Sequence, residues 1–523
     1  MSDVQPRAQP WKPSHNRWAI AVVVTFAAFM EILDTTIVNV SLPHIAGGLS
    51  VSYDEATWTL TSYLVANGIV ITISGWLATV FGRKRYFLIC LAMFTVASFF
   101  CGTATSISQL VMFRLCQGFF GGGLQPSQQS IILDTFPPER RAAAFGVTAI
   151  ATVVAPVLGP TLGGFITDTY NWRWVFYINI PIGIVAVFFV SFLVEDPPWL
   201  KRRFAGVDYI GLALITIGIG CLQVMMDRGE TEDWFGSKFI QLAALLAVLG
   251  ILGAIGWLLI AEKPIVNLDV FKNKNFTMGC VFISIVGGTL YASAVVIPQF
   301  AQTVLGYTAL WAGMVLSPGG IAVIVLIPIV NVLMKFVQCR YIIGAGFFIM
   351  GSAFLYSTNL TPDINFGTLV IMRSFQAAGL AFLFVPISTI TFSTIPRELN
   401  GDATALYTVF RNIFGSIGIS LASAAVIERT QVHQSYLAQW TTPLYQPFEA
   451  LIAQYQRALI AMGYAVSAAR DAAIGRVYQV YLRQAEVLAY NDIFYYVTLI
   501  AFAAVPLSLF LSRMKGGAGA APH

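Results

Sequence analysis

The chain of 523 residues is 57% hydrophobic and only 11% charged, with a mean hydropathy of +0.74, against roughly 25% charged residues in soluble domains. This composition excludes an ordinary soluble domain and points to an all-α polytopic membrane protein. The formal charge of +5 does not mark a nucleic-acid binder, because the basic residues alternate from one connection to the next instead of gathering in a patch.

Residues 1–17 read as a polar tail with Arg7, Lys12 and Arg17, and the long apolar run behind it lacks a small-residue cleavage site, as an uncleaved targeting segment would. Runs long enough to cross about 30 Å of hydrocarbon then recur fourteen times: Trp18–Val38, Thr57–Phe81, Tyr86–Thr105, Ser108–Leu133, Ala142–Thr167, Trp174–Val194, Tyr209–Met226, Phe239–Ile260, Phe276–Gln299, Trp311–Met334, Tyr341–Ser357, Gly367–Ile395, Ala403–Ile427 and Leu488–Leu511. The fifth run carries Pro156 and Pro160, which spanning helices tolerate when neighbours satisfy the freed backbone groups. Charged connections at Glu195–Asp208 and Glu262–Phe276 divide the spans into six, two and six. The expected organisation is a six-helix bundle at 18–195, two additional spans with linkers at 196–275, a second bundle at 276–512 and a tail at 513–523.

Arg83–Arg85, Arg140 and Arg141, Lys201–Arg203, Lys263, Lys272 and Lys274, Lys335 and Arg340, and Arg397 occupy every second connection. The excess of positive charge on cytoplasmic loops therefore puts both termini in the cytoplasm. Between the last two spans lies a long outer connection, 428–487, in which Phe448, Leu451, Ile452, Tyr455 and Leu459, then Val466, Ala469, Ala473, Ile474 and Val477, follow helical spacing. Two amphipathic helices are expected there, covering the protein's own mouth or docking another protein. Six cysteines and four histidines are scattered without metal-ligand spacing, so neither a metal nor another cofactor is expected.

Charge inside the bilayer is the functional signal, since a charged side chain at its centre costs about 2.5–3.5 kcal/mol on insertion scales. Glu31 and Asp34 lie three residues apart in the first span, on neighbouring positions of one helix face. Either Asp34 is a structural carboxylate tied to a cation, or it carries a proton, with Glu31 beside it sharing that proton or attracting a cationic substrate. Arg114 in the fourth span does not deprotonate and supplies a fixed charge or a hydrogen-bond fork. Arg373 and Arg411 either do the same in the second half or snorkel from span ends. "LVMFRLCQGFFGGG" (Leu110–Gly123) and "LVIMRSFQAAGLAF" (Leu369–Phe382) share an Arg followed three residues later by Gln, an internal repeat of the kind on which transporters are built. The glycines of "GFFGGG" lie inside a span and serve close helix packing rather than a dinucleotide loop.

Several motifs now stand in order. "LDTTIVNVSLP" (Leu33–Pro43), "GWLATVFGRKR" (Gly75–Arg85), "RLCQGFFGGG" (from Arg114), "GVTAIATVVAPVLGPTLGG" (Gly146–Gly164) and "NWRWVFYINIPIG" (Asn171–Gly183) together resemble the major facilitator superfamily, in its fourteen-span drug:proton antiporter branch of EmrB and QacA type. The resemblance covers essentially the whole chain. It implies the major facilitator fold, with Asp34, Glu31 and Arg114 in proton coupling. It also implies conformational motifs at Gly75, Gly82, Arg83, Lys84 and Arg85 in the loop after the second span, and at Gly146, Pro156, Gly159, Pro160, Gly163 and Gly164 in the fifth. Pro156 and Pro160 lie on one face of that helix, while the glycines admit a close neighbour. Thr79 and Val80 stand where the branch usually has Asp and Arg, which removes charges from that loop. The outer connection is closest to the EmrB type, which implies a periplasmic adaptor of the EmrA kind, an outer-membrane channel of the TolC kind and a bacterial inner membrane.

The expected activity is proton-driven efflux of amphipathic or hydrophobic drugs by alternating access, in contact with protons and membrane lipids. Asn39, Tyr63, Asn67, Gln117, Gln125, Gln376 and Arg373 are candidates to line the cavity or to tie helices together. The rivals are a carrier of one metabolite or siderophore, and a membrane-embedded lipid-modifying enzyme. The enzyme would be expected to cluster His, Asp, Glu or Cys in a long connection, and 428–487 holds no such cluster.

Overall fold

A computed structural model describes residues 13–199 and 206–513. Most of the N-terminal tail, Lys201–Arg203 and all but the first residue of the C-terminal tail lie outside these residues.

The sequence starts its helices with local caps. α1 (Arg17–Leu49) opens at Asn16, whose side chain accepts from the Trp18 N–H. α2 (Tyr53–Phe81) opens on a capping box of Ser52 and Glu55. Gly82, at φ +85°, makes the one-residue turn into α3 (Arg83–Thr103) in a conformation that side chains disfavour. α4 (Ile107–Gly121) and α5 (Leu124–Thr135) follow in tandem, with 15 and 12 residues. Each is shorter than the roughly 20 residues a crossing requires, so together they form the fourth expected span, broken at Gly122 and Gly123. α6 (Pro138–Thr169) runs unbroken through both prolines, and α7 (Trp174–Tyr177) leads directly into α8 (Asn179–Leu193).

Then come α9 (Tyr209–Arg228), α10 (Lys238–Ile260), α11 (Lys274–Thr303), α12 (Ala309–Leu333), α13 (Cys339–Ser357), α14 (Phe366–Thr391), α15 (Asn400–Ala438), α16 (Gln446–Ala461) and α17 (Val466–Leu507). Thirteen helices among the described residues are long and apolar enough to cross a membrane, and the α4–α5 pair accounts for the remaining expected span.

α15 and α17, with 39 and 42 residues, are about 60 Å long at 1.5 Å per residue. Both therefore project well beyond a 30 Å core. α16 packs against the projecting part of α17, burying Ile452 and Leu459 against Ala469, Ala473 and Val477. The expected helical hairpin is present, with two corrections. Its second helix is not separate but continues into the last span, and Val466 and Ile474 face outward, because the small Ala469 and Ala473 form the stripe that α16 can approach closely.

The halves repeat one packing pattern: α1 on α6, α2 on α4, and α3 on α4 and α8; then α11 on α15, α12 on α14, and α13 on α14 and α17. They meet along α6–α12 and α2–α15. α10 faces outward with Leu242, Leu245, Leu249 and Leu252 exposed. α9 packs between α10 and α2 and reaches α15.

One end of the molecule is shut. A Cβ on Gly75 would lie 2.8 Å from Asp402 Oδ1 and from the Gly401 carbonyl carbon, so only glycine lets α2 and α15 come this close. Ser130 Oγ and Thr404 Oγ1 are 2.6 Å apart, and Asn400 Nδ2 donates to Asp134 Oδ1 at 3.2 Å. Arg83 forms an ion pair with Asp134, both buried, and donates to the Ser130 carbonyl. Thr79 Oγ1 only donates to carbonyls of its own helix. The charge interaction of this loop thus rests on Arg83, with Lys84 partly buried and Arg85 exposed beside it.

Candidate transport site

Asp34 is fully enclosed. Its carboxylate accepts from Arg114 Nη1 at 2.6 Å, Gln117 Nε2 at 3.0 Å and Asn179 Nδ2 at 2.7 Å. Arg114, 0% exposed, also donates to Gln117 Oε1 at 2.8 Å and to the Thr59 carbonyl at 3.2 Å, and its guanidinium lies 4.1 Å from the centre of the Tyr63 ring. Such an ion pair holds its members firmly, since removing either leaves a charge buried alone. The α4 backbone comes this close to α2 because Gly118 offers no side chain: a Cβ there would overlap the Tyr63 carbonyl.

Glu31 has a different environment. Tyr63 Oη and Asn67 Nδ2 each donate to Oε1 at 3.0 Å, and Gln125 Nε2 donates to Oε2. All three donors are neutral. Among the described residues no hydrogen bond joins Glu31 to Asp34. Three residues of helix put them about 60° apart around the axis, enough for one to meet α4 and α8 while the other meets α2 and α5. Gln125 also accepts from Arg411 Nη2 of α15. A single amide therefore joins a carboxylate of the first half to a guanidinium of the second.

Glu31 lines a cavity of about 440 Å³ between the halves. Ile32, Leu60, Leu64, Ile71, Val295 and Ile413 give it apolar walls, and it extends to Tyr53, Thr57, Glu230 and Thr231, away from the closed end. The expected candidates Asn39, Tyr63, Asn67 and Gln125 line it, as do Pro156 and Pro160. Gln117, Gln376 and Arg373 do not. Gln117 is turned inward to serve the Asp34–Arg114 pair, while Arg373 and Gln376 bond Ser293 and Ser357 inside the second bundle.

In α6, a Cβ on Gly159 would overlap Thr36, and one on Gly163 would lie 3.0 Å from the Ile37 carbonyl oxygen. α6 thus presents Gly159 and Gly163 to α1 and its prolines to the cavity; Gly164 is buried beside them. Gly146 faces Asn331 of α12 instead.

Three participants were not foreseen. Asn179 lay within a recognised motif, "NWRWVFYINIPIG", but had no assigned contact. Gln223 and Asp227 of α9 both line the cavity, and Asp227 accepts from Thr61 of α2. The signal for Asp227 was a carboxylate one residue past the apolar run that ends at Met226. Among the described residues, no group of three or more His, Cys, Asp or Glu side chains is placed to hold a metal ion.

Two repeated helical bundles around a central cavity, its walls apolar with a few polar groups, define a multi-pass transporter. The profile of the Major Facilitator Superfamily matches residues 24–419, and the chain belongs to this superfamily. It is 34% identical over 507 residues to the multidrug export protein EmrB of Escherichia coli K12, covering 96% of this chain and 97% of that one. It is 33% identical to the fatty acid resistance protein FarB of Neisseria gonorrhoeae (98% and 99% covered) and 28% identical to the colistin resistance protein EmrB of Acinetobacter baumannii (97% and 98%). Among solved structures, a peptide transporter, POT, in complex with sulfate superposes with a TM-score of 0.57 at 14% identity (96% and 98% covered), and the human organic anion transporter TETRAN with 0.56 at 11% (93% and 100%). At such identities the likeness is one of fold. With its many apolar helices and these bacterial relatives, the chain is a multi-pass protein of the bacterial inner membrane.

Proposed function

We propose that the chain is a proton-coupled multidrug efflux antiporter. The observation that carries the coupling is Glu31: a buried carboxylate held by neutral donors only, at the wall of the central cavity, and tied through Gln125 to Arg411 of the opposite half. Glu31 has no direct ion pair to break, since Arg411 reaches it only through Gln125, whereas protonating Asp34 would strip Arg114 of its direct countercharge. Glu31 is accordingly the group that exchanges a proton with the cavity. Asp34, Arg114 and Gln117 form the fixed charge array behind it and exchange protons only if the ion pair parts in another state. Neutralising Glu31 removes the attraction relayed through Gln125 to Arg411 and so loosens one link between the halves.

With basic connections facing the cytoplasm, both termini are cytoplasmic, the shut end is the inner one and this conformer faces outward. The spans then group as six, two and six. Drug enters from the cytoplasm or inner leaflet in the opposite conformer, and a proton from outside replaces it. A potential of about 100 mV supplies roughly 2.3 kcal/mol per charge and one pH unit about 1.4 kcal/mol. At about 1.4 kcal/mol per tenfold, one electrogenic proton sustains a gradient of several hundred-fold. The roomy, mainly apolar cavity suits amphipathic drugs of varied shape. The likeness to the multidrug export protein EmrB of Escherichia coli and to the colistin resistance protein of Acinetobacter baumannii supports multidrug export. The hairpin that projects beyond the cavity mouth is the surface on which an adaptor of the EmrA kind would dock, leading to a channel of the TolC kind.

The test is drug-stimulated proton release from inverted vesicles, run with structurally unrelated drugs. Glu31→Gln should abolish release while equilibrium drug binding persists. Release that survives in Glu31→Gln at the wild-type rate would move the coupling group elsewhere.

A further inference from the structure

The charge array of the first half has a counterpart in the second, at a constant spacing. Arg373, Gln376, Ser357 and Ser293 each lie 259 positions after Arg114, Gln117, Ser98 and Asp34. The contacts of the arginine repeat as well. Arg114 Nη1 donates to Asp34 and Gln117; Arg373 Nη1 donates to Ser293 Oγ at 2.9 Å and to Gln376 Oε1 at 3.3 Å. The two serines are reached by different donors: Ser98 Oγ accepts from Asn179 of α8, whereas Ser357 Oγ accepts from Gln376 at 2.9 Å. One member has changed in kind: where the first half has a carboxylate, the second has a hydroxyl.

Arg373 is 1% exposed, and among the described residues no carboxylate pairs with it. Its Nε and Nη2 are buried with no hydrogen-bond partner among the described residues. The hydroxyls beside it have already donated, Ser293 to the Leu290 carbonyl and Ser357 to the Ala353 carbonyl. A guanidinium does not escape the cost of burial by deprotonating, and a lone buried charge is costly. Arg373 borders a cavity of about 10 Å³, closed by Ile297, Phe300, Met372 and Phe494. That is room for about one water-sized particle. A water would satisfy a donor and leave the charge unbalanced.

We propose that the Arg373 pocket binds a small monovalent anion, chloride or one of similar size, which stands in for the carboxylate that Asp34 supplies in the first half. Chloride is slightly larger than a water, and the unbranched Met372 side chain is the wall that yields. The site lies within the second bundle and apart from the central cavity, so the anion stabilises the fold and is not cargo.

The test uses the purified full-length chain in detergent at constant ionic strength, with sodium chloride replaced stepwise by sodium gluconate, whose anion is too large for the pocket. The thermal unfolding midpoint should rise saturably with chloride and with bromide. In Arg373→Met the dependence should vanish. In Ser293→Asp, which supplies the missing carboxylate, the midpoint should be independent of chloride and match that of the chloride-saturated wild type. A wild-type midpoint that ignores chloride would overturn the proposal and leave water as the occupant. An equal rise in Arg373→Met would overturn it by showing a general ion effect. The wild-type titration decides by itself if a variant does not fold, because only a saturable, size-selective response is consistent with this pocket.

Discussion

The ion pair of Asp34 and Arg114 makes a prediction opposite to that for Glu31, although the two acids sit three residues apart. Both partners are 0% exposed at the side chain and 2.6 Å apart, so Asp34→Asn keeps the shape and removes the countercharge. Breaking a buried pair by removing one partner costs about 3–5 kcal/mol, because the survivor remains in a medium that solvates it poorly. Arg114 would retain the Gln117 and Thr59 acceptors and the Tyr63 ring, which places the expected loss toward the lower end, about 3 kcal/mol. Glu31→Gln breaks no direct ion pair, because Gln125 stands between Glu31 and Arg411, and it swaps one acceptor oxygen for an amide, so its cost should stay near about 1 kcal/mol, the typical worth of one hydrogen bond. The assay is thermal unfolding of the detergent-purified variants, read as a double-mutant cycle with Arg114→Gln. Asp34→Asn and Arg114→Gln should each lower the midpoint strongly, and the double variant should recover much of the loss. Additive losses, or an Asp34→Asn midpoint equal to that of Glu31→Gln, would refute the claim that charge compensation holds this site together.

Gly159→Val should cost about 1–3 kcal/mol by overpacking against Thr36, seen as a lower unfolding midpoint, whereas Gly47→Ala, with nothing near its Cβ position, should not. Arg83→Gln leaves the buried Asp134 without its countercharge, with Asn400 as its remaining donor, so the shut end should open more often, and a cysteine introduced near Asn400 should label faster in this variant than the same cysteine with Arg83 intact. At the cavity mouth, burial pushes the Glu230 carboxyl above its ordinary value, so the folded chain holds that proton more tightly than the unfolded one. Its contribution to stability is complete below the ordinary carboxylate range and disappears as pH rises through the raised value; Glu230→Gln should remove this part of the pH dependence of the unfolding midpoint.

Bilayer physics makes some features legible from one sequence and hides others. A 30 Å apolar slab forces long apolar runs, so the spans could be read, and it penalises charge, so Asp34, Glu31 and Arg114 stood out. The glycine and proline faces of α6 were legible because they follow from helical period alone. Which polar side chain meets the cavity was not, because that depends on how each helix is rotated against its neighbours. Gln117 and Gln125 lie only two turns apart, yet the first turns to Asp34 and the second to Glu31, with the α4–α5 break at Gly122 and Gly123 between them. Nor does periodicity report pairings such as Arg411 with Gln125, which are 286 residues apart.

α9 shows why the additional spans matter to transport. Hydropathy reads it as one of two additional spans between the bundles; in the fold it flanks the cavity and packs on α2 and α15. Thr61 of α2 donates to Asp227, Gln223 donates to Ser416 of α15 at 3.0 Å, and Ser420 of α15 donates to the Met226 carbonyl at 2.6 Å. Gly68 of α2 and Ile219 of α9 fit closely, at 3.3 Å from a Cβ position on the glycine. α9 is therefore bonded to both halves at once. Any rocking that separates α2 from α15 must break bonds on one side of α9 or carry it along with one half. The helix that flanks the cavity is thus also a constraint on the motion that alternates access, and Asp227 puts a carboxylate at that constraint, lining the space a substrate would fill.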